Sequence, residues 1–135
     1  MKKVCIYARV STQSQDYQRQ LSELREYATR MNYEVVTEFS EKISGAKAIA
    51  ERQALTELLD YAAASRIDKV LVYECSRISR RAIDFLQVIE QLTQMKVSVY
   101  ILQNGLETLM ADGSVNPIAQ HNPITPSMLG VQQWL

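Results

Sequence analysis

An arginine and a serine lie two residues apart at the end of the first apolar run of this 135-residue chain. The segment reads YARVST and contains Arg9 and Ser11. Residues two apart in an extended strand point to the same side, so a strand that reaches Ser11 places both side chains together. A serine hydroxyl can act as a nucleophile, and a guanidinium matches the oxygens of a phosphate. The alternative is that Ser11 or Thr12 only caps the helix that follows.

A second group of arginines follows the third predicted strand. The segment ECSRISRRAID contains Arg77, Arg80 and Arg81 and begins a predicted helix. Residues three apart share a helix face, so Arg77 and Arg80 can converge. Cations near a helix N-terminus oppose the helix dipole, and a bound anion offsets that cost. The alternative is a solvated, charged turn.

Several kinds of catalytic site are absent from the sequence. The only histidine is His121, near the C-terminus, so the globular part has no Ser-His-Asp triad. No histidine and cysteine cluster has metal-ligand spacing, and neither glycine-rich phosphate-binding motif occurs. A catalytic serine in this chain therefore requires arginines to stabilise the charge of its reaction.

Apolar periodicity predicts strands that alternate with helices. The strands are predicted at residues 3–10, 33–39, 68–74 and 97–102. The helices are predicted at residues 15–31, 51–65 and 79–94, with a loop at residues 40–48. In the last helix the predicted apolar stripe is Ala82, Leu86, Ile89 and Thr93, with Phe85 and Leu92 beside it. This alternation indicates an α/β fold with a largely parallel sheet, whose carboxyl edge is where ligands bind.

The overall charge limits how the chain can bind an anion. Fifteen basic and fifteen acidic residues cancel, so bulk charge cannot attract nucleic acid. Cys5 and Cys75 lie in apolar runs, which is typical of buried thiols in a reduced compartment. We find no signal peptide and no apolar run of about 18 residues, so we expect a cytoplasmic protein without a membrane span.

Five sequence features occur in an order that resembles a known family. They are YARVST, then Gln15 and Gln18, then SG at residues 44–45, then ERQAL with Arg52, and then SRISR. Over about residues 3–120 the chain resembles the catalytic domain of the serine recombinases, the resolvase/invertase family. The resemblance implies a three-layer α/β domain with a mostly parallel sheet flanked by helices.

The resemblance also implies a reaction. The family serine, which matches Ser11, attacks a DNA phosphodiester, forms a 5′-phosphoserine link and releases a 3′-hydroxyl. Four subunits cut both duplexes of double-stranded DNA, exchange the ends and reseal them. This is the site-specific recombination and integration chemistry of mobile elements. No metal and no small-molecule cofactor is implied, because the covalent link retains the energy of the phosphodiester.

The family motif carries further site residues onto this sequence. The arginines that would hold the scissile phosphate match Arg9, Arg52, Arg77 and Arg80. Supporting glutamines match Gln15 and Gln18. Ser76 departs from the pattern, because many members have an aspartate there.

The end of the chain departs more strongly. In the family a long helix follows, which builds the dimer interface and leads to a separate DNA-binding domain, but here HNPITPSML replaces it. We therefore expect a catalytic domain at residues 1–120 and a loose, unrelated tail at residues 121–135, with a short helix at residues 128–135 as the alternative. Two other functions stay open. One is a recombinase fragment that folds but is inactive, and the other is a non-catalytic α/β module that binds a phosphorylated ligand or a protein partner.

Overall fold

In a computed structural model, parallel strands and helices alternate along the chain, as the sequence predicts. The structure describes residues 1–10, 17–42, 52–78, 82–110 and 114–116. Within them the strands are β1 (Lys3–Val10), β2 (Glu34–Lys42), β3 (Lys69–Val72), β4 (Ser98–Ile101) and β5 (Leu106–Glu107). The helices are α1 (Tyr17–Arg30), α2 (Gln53–Ala64), α3 (Cys75–Ile78) and α4 (Ala82–Gln94).

The strands form one sheet in the order β2-β1-β3-β4-β5. The first four are parallel, and β5 is antiparallel to β4 at the edge. This arrangement confirms the predicted mostly parallel α/β sheet. Because parallel strands end at one edge, the carboxyl ends of β1, β2 and β3 meet there. In the register of β1 and β2, Arg9 lies beside Glu41.

Helices pack on both faces of the sheet, and the alternation of β1 divides the core between them. Val4, Ile6 and Ala8 face α1 in one buried cluster. Cys5 and Tyr7 belong to the larger cluster on the other face, with α2 and α4. Both faces of β1 are therefore covered, which explains its continuous apolar run.

Helices α1 and α4 end in the same way. Asn32 and Lys96 have left-handed backbone with φ of 60° and 61°. The N–H of Tyr33 then reaches back to the carbonyl of Ala28, and a matching bond follows Lys96. These are Schellman motifs, which satisfy the last carbonyls of a helix and turn the chain into the next strand.

The structure differs from the sequence prediction at three elements. Strand β2 continues to Lys42, into the segment predicted as a loop. The short helix α3 and the two-residue strand β5 were not predicted. The predicted tail at residues 121–135 lies outside the described residues. None of the helices in the described part is long and apolar enough to cross a membrane.

The predicted core face of α4 was wrong. Leu86 is 53% exposed, whereas Phe85, Val88 and Leu92 are fully buried. Phe85 and Leu86 are adjacent, so their side chains point about 100° apart around the helix axis. Choosing Leu86 instead of Phe85 as the core residue therefore rotates the whole predicted core face of α4 by that angle. The exposed position of Leu86 leaves Phe85 to fill the space above β3 and β4, in the larger cluster.

A matched pair of substitutions on α4 tests this face. We expect Leu92→Ala to lower the free energy of unfolding by about 2–5 kcal/mol, because it leaves a cavity in the core. Leu86→Ala makes the same chemical change on the exposed side and should cost less than about 0.5 kcal/mol. Urea denaturation of both variants gives the comparison. Equal losses would contradict the described orientation of α4.

Candidate active site

Three arginines meet at the carboxyl edge of the sheet, and their shared point is the backbone carbonyl of Arg77. Arg9 Nε donates a hydrogen bond to this oxygen at 3.1 Å. Arg52 Nη2 donates to the same oxygen at 2.8 Å. Arg9 and Arg52 are both almost completely buried, with 1% and 0% of their surface exposed. Strand β1, the start of α2 and helix α3 thus contribute one residue each to one cluster.

Both Nη atoms of Arg52 donate hydrogen bonds to protein groups, and its Nε faces a carboxylate. Besides the carbonyl of Arg77, Nη2 donates to the hydroxyl of Tyr7 at 2.5 Å, and Nη1 donates to the carbonyl of Ile78. Its Nε lies 3.5 Å from Glu41 Oε2. The guanidinium also lies over the Tyr7 ring, 5.7 Å from the centroid. Arg52 therefore holds β1, β2 and α3 together.

Glu41 supplies the negative charge that the buried Arg52 needs. It stands at the carboxyl end of β2, where its Oε2 accepts a hydrogen bond from the Tyr7 hydroxyl at 2.5 Å. Its Oε1 accepts from the backbone N–H of Ala54 at 3.1 Å. That N–H belongs to the first turn of α2, where donors lack helical partners and a negative charge is favourable. Glu41 thus fixes the start of α2 and the position of Arg52 at once.

Tyr7 links the arginine to the carboxylate. Burial is the main reason that its pKa is raised far above the usual value, and the nearby positive charge of Arg52 opposes that rise. The phenol therefore stays protonated, which lets it donate to Glu41 while it accepts from Arg52.

Arg52 and Arg77 each have a buried Nε without a hydrogen-bond partner among the described residues, but Arg77 is the more exposed of the two. Its side chain is 15% exposed, and Nη2 lies 3.5 Å from Glu74 Oε1. Its Nε is buried and has no hydrogen-bond partner among the described residues. A buried donor without an acceptor is costly, so this N–H is suited to an anion that enters the site.

A glutamine that was not predicted lies beside the end of β1. Gln18 is exposed on α1. Gln20, two residues later, is fully buried, and its Nε2 donates to the carbonyl of Arg9 at 3.4 Å. Among the described residues its Oε1 has no partner. The structure thus brings Gln20, rather than Gln18, next to the end of β1.

Three of the predicted site residues belong to segments that the structure does not describe. Ser11, Gln15 and Arg80 lie outside the described residues. Of the predicted set, the structure brings together Arg9, Arg52 and Arg77. No group of three or more potential metal ligands occurs in the part of the chain that the structure describes.

Sequence reasoning missed Tyr7, Glu41 and Gln20. Tyr7 had a usable signal, because it lies two residues before Arg9 on the same strand and so shares its side of the sheet. No sequence signal singled out Glu41, because its segment (residues 40–48) was assigned to a loop. Gln20 is the last of three consecutive polar residues in α1, and only the packing of the helix distinguishes it from the two before it.

A known protein family matches most of the chain. The family model described as "Resolvase, N terminal domain" matches residues 4–118. A transposon Tn917 resolvase from Enterococcus faecalis is 29% identical over 107 residues, which are 79% of this chain and 53% of that protein. The serine recombinase PinR from Escherichia coli (strain K12) is 30% identical over 105 residues, or 78% of this chain and 52% of that protein. The chain thus spans about half the length of these curated relatives.

Solved structures give the same result. The N-terminal catalytic domain of TP901-1 integrase is 34% identical with a TM-score of 0.74, over 83% of this chain and 85% of that one. The C-terminal catalytic domain of ISC1926 TnpA, an IS607-like serine recombinase, is 30% identical with a TM-score of 0.68, over 74% and 67%. These matches confirm the resemblance that the sequence motifs indicate.

The role of Glu41 can be tested by removing its charge. We expect Glu41→Gln to lower the free energy of unfolding by about 3–5 kcal/mol, because the buried Arg52 keeps its charge and loses its counterion. Glu38→Gln on the same strand is the control. Glu38 pairs with the exposed Arg25, and its loss should cost at most about 1 kcal/mol. Guanidinium denaturation measures both, and a loss for Glu41→Gln no larger than that of the control would refute the assigned role.

Proposed function

Because the chain belongs to the resolvase N-terminal domain family of serine recombinases, we propose that it is a catalytic domain that cuts and rejoins DNA, with Ser11 as the nucleophile. The observation that carries the proposal is the convergence of Arg9, Arg52 and Arg77 at the carboxyl edge of the sheet. Ser11 follows this convergence by two residues in the sequence. A serine with no histidine nearby in the sequence needs such a concentration of positive charge.

The concentration of arginines at this edge favours an anionic ligand. Arg9, Arg52 and Arg77 stand together there, and among the described residues Arg52 pairs with Glu41 and Arg77 with Glu74. A guanidinium group matches the oxygens of a DNA phosphodiester. The unused Nε of Arg77 gives this phosphate a buried donor. Arg80 and the supporting Gln15 and Gln18 complete the proposed set from the family motif.

Each proposed step replaces one phosphate ester bond with another. The Ser11 hydroxyl loses its proton as its oxygen attacks the phosphorus of the scissile phosphodiester and forms a serine–phosphate bond. The bond from phosphorus to the 3′-oxygen breaks, and that oxygen takes up one proton, which balances the proton lost by Ser11, and leaves as a 3′-hydroxyl. A 3′-hydroxyl of the partner strand then attacks the phosphoserine, restores a phosphodiester and frees Ser11. Because each step exchanges one phosphate ester for another, the proposal needs no ATP and no metal.

The arginines act on the charge that develops during attack. Donors aimed at the non-bridging phosphate oxygens stabilise the transition state more than the ground state. In the proposal Arg77, Arg80 and Arg9 supply such donors. Arg52 acts on them indirectly, since its described hydrogen bonds go to Tyr7 and to the carbonyls of Arg77 and Ile78.

The partners in this proposal are double-stranded DNA and further copies of the protein, four of which would act together in the complete recombinase. Residues 1–120 form the catalytic domain, and residues 121–135 form a tail outside it. The substrate's identity would be read elsewhere, because phosphate contacts fix position while base contacts specify sequence. We place the reaction in the cytoplasm, where the DNA of a mobile element is accessible.

The nucleophile is tested by trapping the covalent intermediate. The chain is incubated with a library of duplexes that have randomised centres and a nick beside each candidate phosphate, so that cleavage releases a short strand and cannot be reversed. We expect a protein–DNA adduct with phosphate on Ser11, mapped by peptide mass spectrometry, and none from Ser11→Ala. Ser14→Ala is the matched control and should retain the adduct. An equal adduct yield from Ser11→Ala would disprove the proposed nucleophile, and a folded chain that binds DNA without any adduct would favour the inactive or non-catalytic alternative.

The side chain of Arg77 can be tested separately from its carbonyl. Arg77→Lys keeps the backbone oxygen that accepts from Arg9 and Arg52, so the cluster should still fold. Removing the Nε donor should slow adduct formation about 10²–10³-fold, as for other donors to a developing oxyanion. Arg25→Lys, at an exposed arginine on α1, should leave the rate unchanged. A normal rate for Arg77→Lys would show that the phosphate does not use this donor.

A further inference from the structure

The last described segment, which we call the terminal hairpin (residues 106–110 and 114–116), is attached to the sheet by a short backbone ladder and by side-chain hydrogen bonds. Strand β5 has only two residues, Leu106 and Glu107. Beyond it, one backbone hydrogen bond runs from the N–H of Thr108 to the carbonyl of Val99 at 3.0 Å, while the N–H of Val99 donates to the side-chain oxygen of Thr108 at 2.9 Å. The N–H of Leu109 donates to the Ser98 hydroxyl at 3.3 Å. An element joined in this way can open locally while the parallel sheet stays intact.

An ion pair between Lys69 and Glu107 also joins the terminal hairpin to the sheet. Lys69 Nζ donates to Glu107 Oε1 at 2.9 Å and to the Tyr33 hydroxyl at 2.9 Å. The Ser98 hydroxyl donates to the other carboxylate oxygen at 2.9 Å. We call these four residues the clasp, because they join the start of β2, β3 and β4 to the hairpin.

The two charged partners differ in exposure. The Lys69 side chain is 5% exposed, whereas that of Glu107 is 33% exposed. A buried ammonium that loses its counterion cannot be solvated without leaving its position, but Glu107 already contacts solvent. Loss of Glu107 is therefore more disruptive than loss of Lys69.

The clasp also determines where the chain leaves the sheet. Asn116, the last described residue, donates from its side chain to the carbonyl of Glu107 at 2.8 Å and from its backbone to that of Thr108 at 2.9 Å. Lys69 and Ser98 are the first residues of β3 and β4, so the clasp lies at the sheet edge opposite to the arginine cluster. A change in the clasp can therefore alter the terminal hairpin without contacting the arginine cluster.

We infer that the clasp is a releasable device: when closed, it fixes the terminal hairpin as far as Asn116, and when open, it frees the hairpin while the parallel sheet stays folded. Leu106 and Leu109, the two buried apolar residues of the hairpin, would be exposed on release. The opened edge of β4 and these leucines would then be available for new contacts.

Amide hydrogen exchange of the full 135-residue chain tests this inference. The reporter amides are Thr108, Leu109 and Asn116, and the reference amides are those of β1. We expect Glu107→Gln to speed exchange at the reporters roughly 10- to 100-fold, the range that corresponds to a lost hydrogen bond with a charged partner. Exchange in β1 should not change. Lys69→Met should have a smaller effect, because it removes the buried charge instead of isolating it.

The double variant gives the sharpest result. With Lys69→Met present, Glu107→Gln should add little, so the double variant should match Lys69→Met rather than the product of the two single effects. Glu38→Gln, which removes a surface pair at the other side of the sheet, should leave the reporters unchanged. Equal acceleration in β1 and the hairpin would overturn the inference, because the hairpin would then open only with the whole domain. The inference would also be overturned if the two single effects on exchange multiplied in the double variant. The same holds if Glu107→Gln left the exchange rates of the reporter amides unchanged.

Discussion

The carboxyl edge of this domain depends on the burial of one positive charge. Arg52 has no exposed surface, and transferring an isolated guanidinium from water costs several kcal/mol. Glu41, the Tyr7 hydroxyl and the carbonyls of Arg77 and Ile78 compensate for that cost. These partners come from β1, β2 and α3, so the charge cannot be satisfied unless all three elements are correctly arranged.

This requirement has a direct consequence for the chemistry. Because Arg52 and Arg9 both bond the Arg77 carbonyl, helix α3 is fixed relative to β1, and the segment that continues to Ser11 starts from a defined position. The hydrogen bonds of Arg52 go to protein groups, while the Nε of Arg77 is a buried donor without a partner among the described residues. The cluster thus combines an internal ion pair with a donor that could serve a ligand, which is the preorganisation that the proposed electrostatic catalysis would require.

The sequence predicts the sheet well, because strands covered on both faces have unmistakable apolar runs and α1 and α2 have clear apolar faces. It fails where the signal depends on packing. Leu86 and Phe85 are equally apolar neighbours, and only the shape of the space above β3 and β4 selects Phe85. The end of β2 is polar because Glu41 contacts Tyr7 and Arg52. The apolar alternation therefore stops before the strand itself ends at Lys42. Arg9, Arg52 and Arg77 could be recognised from their motifs, but the acceptor that Arg9 and Arg52 share is the backbone carbonyl of Arg77, which no residue type reveals.

Strand β5 illustrates the same limit at the other edge. It has two residues, too few for any periodicity, and its attachment depends on a lysine and a glutamate that are 38 residues apart. Neither residue is unusual by itself. Their partnership follows from the strand order, which places β3 beside β4 and β4 beside β5.

A crystal structure of the chain with a bound duplex tests the central claim most directly, namely that Arg52 positions the site while Arg77 contacts the scissile phosphate. The proposed arrangement predicts a phosphate oxygen within hydrogen-bond distance of Arg77 Nε, close to the Ser11 hydroxyl, with Arg52 still bonded to Tyr7 and Glu41. A structure in which Arg52 leaves these partners and binds the phosphate itself, or in which the phosphate lies away from Arg77 and Ser11, would contradict it.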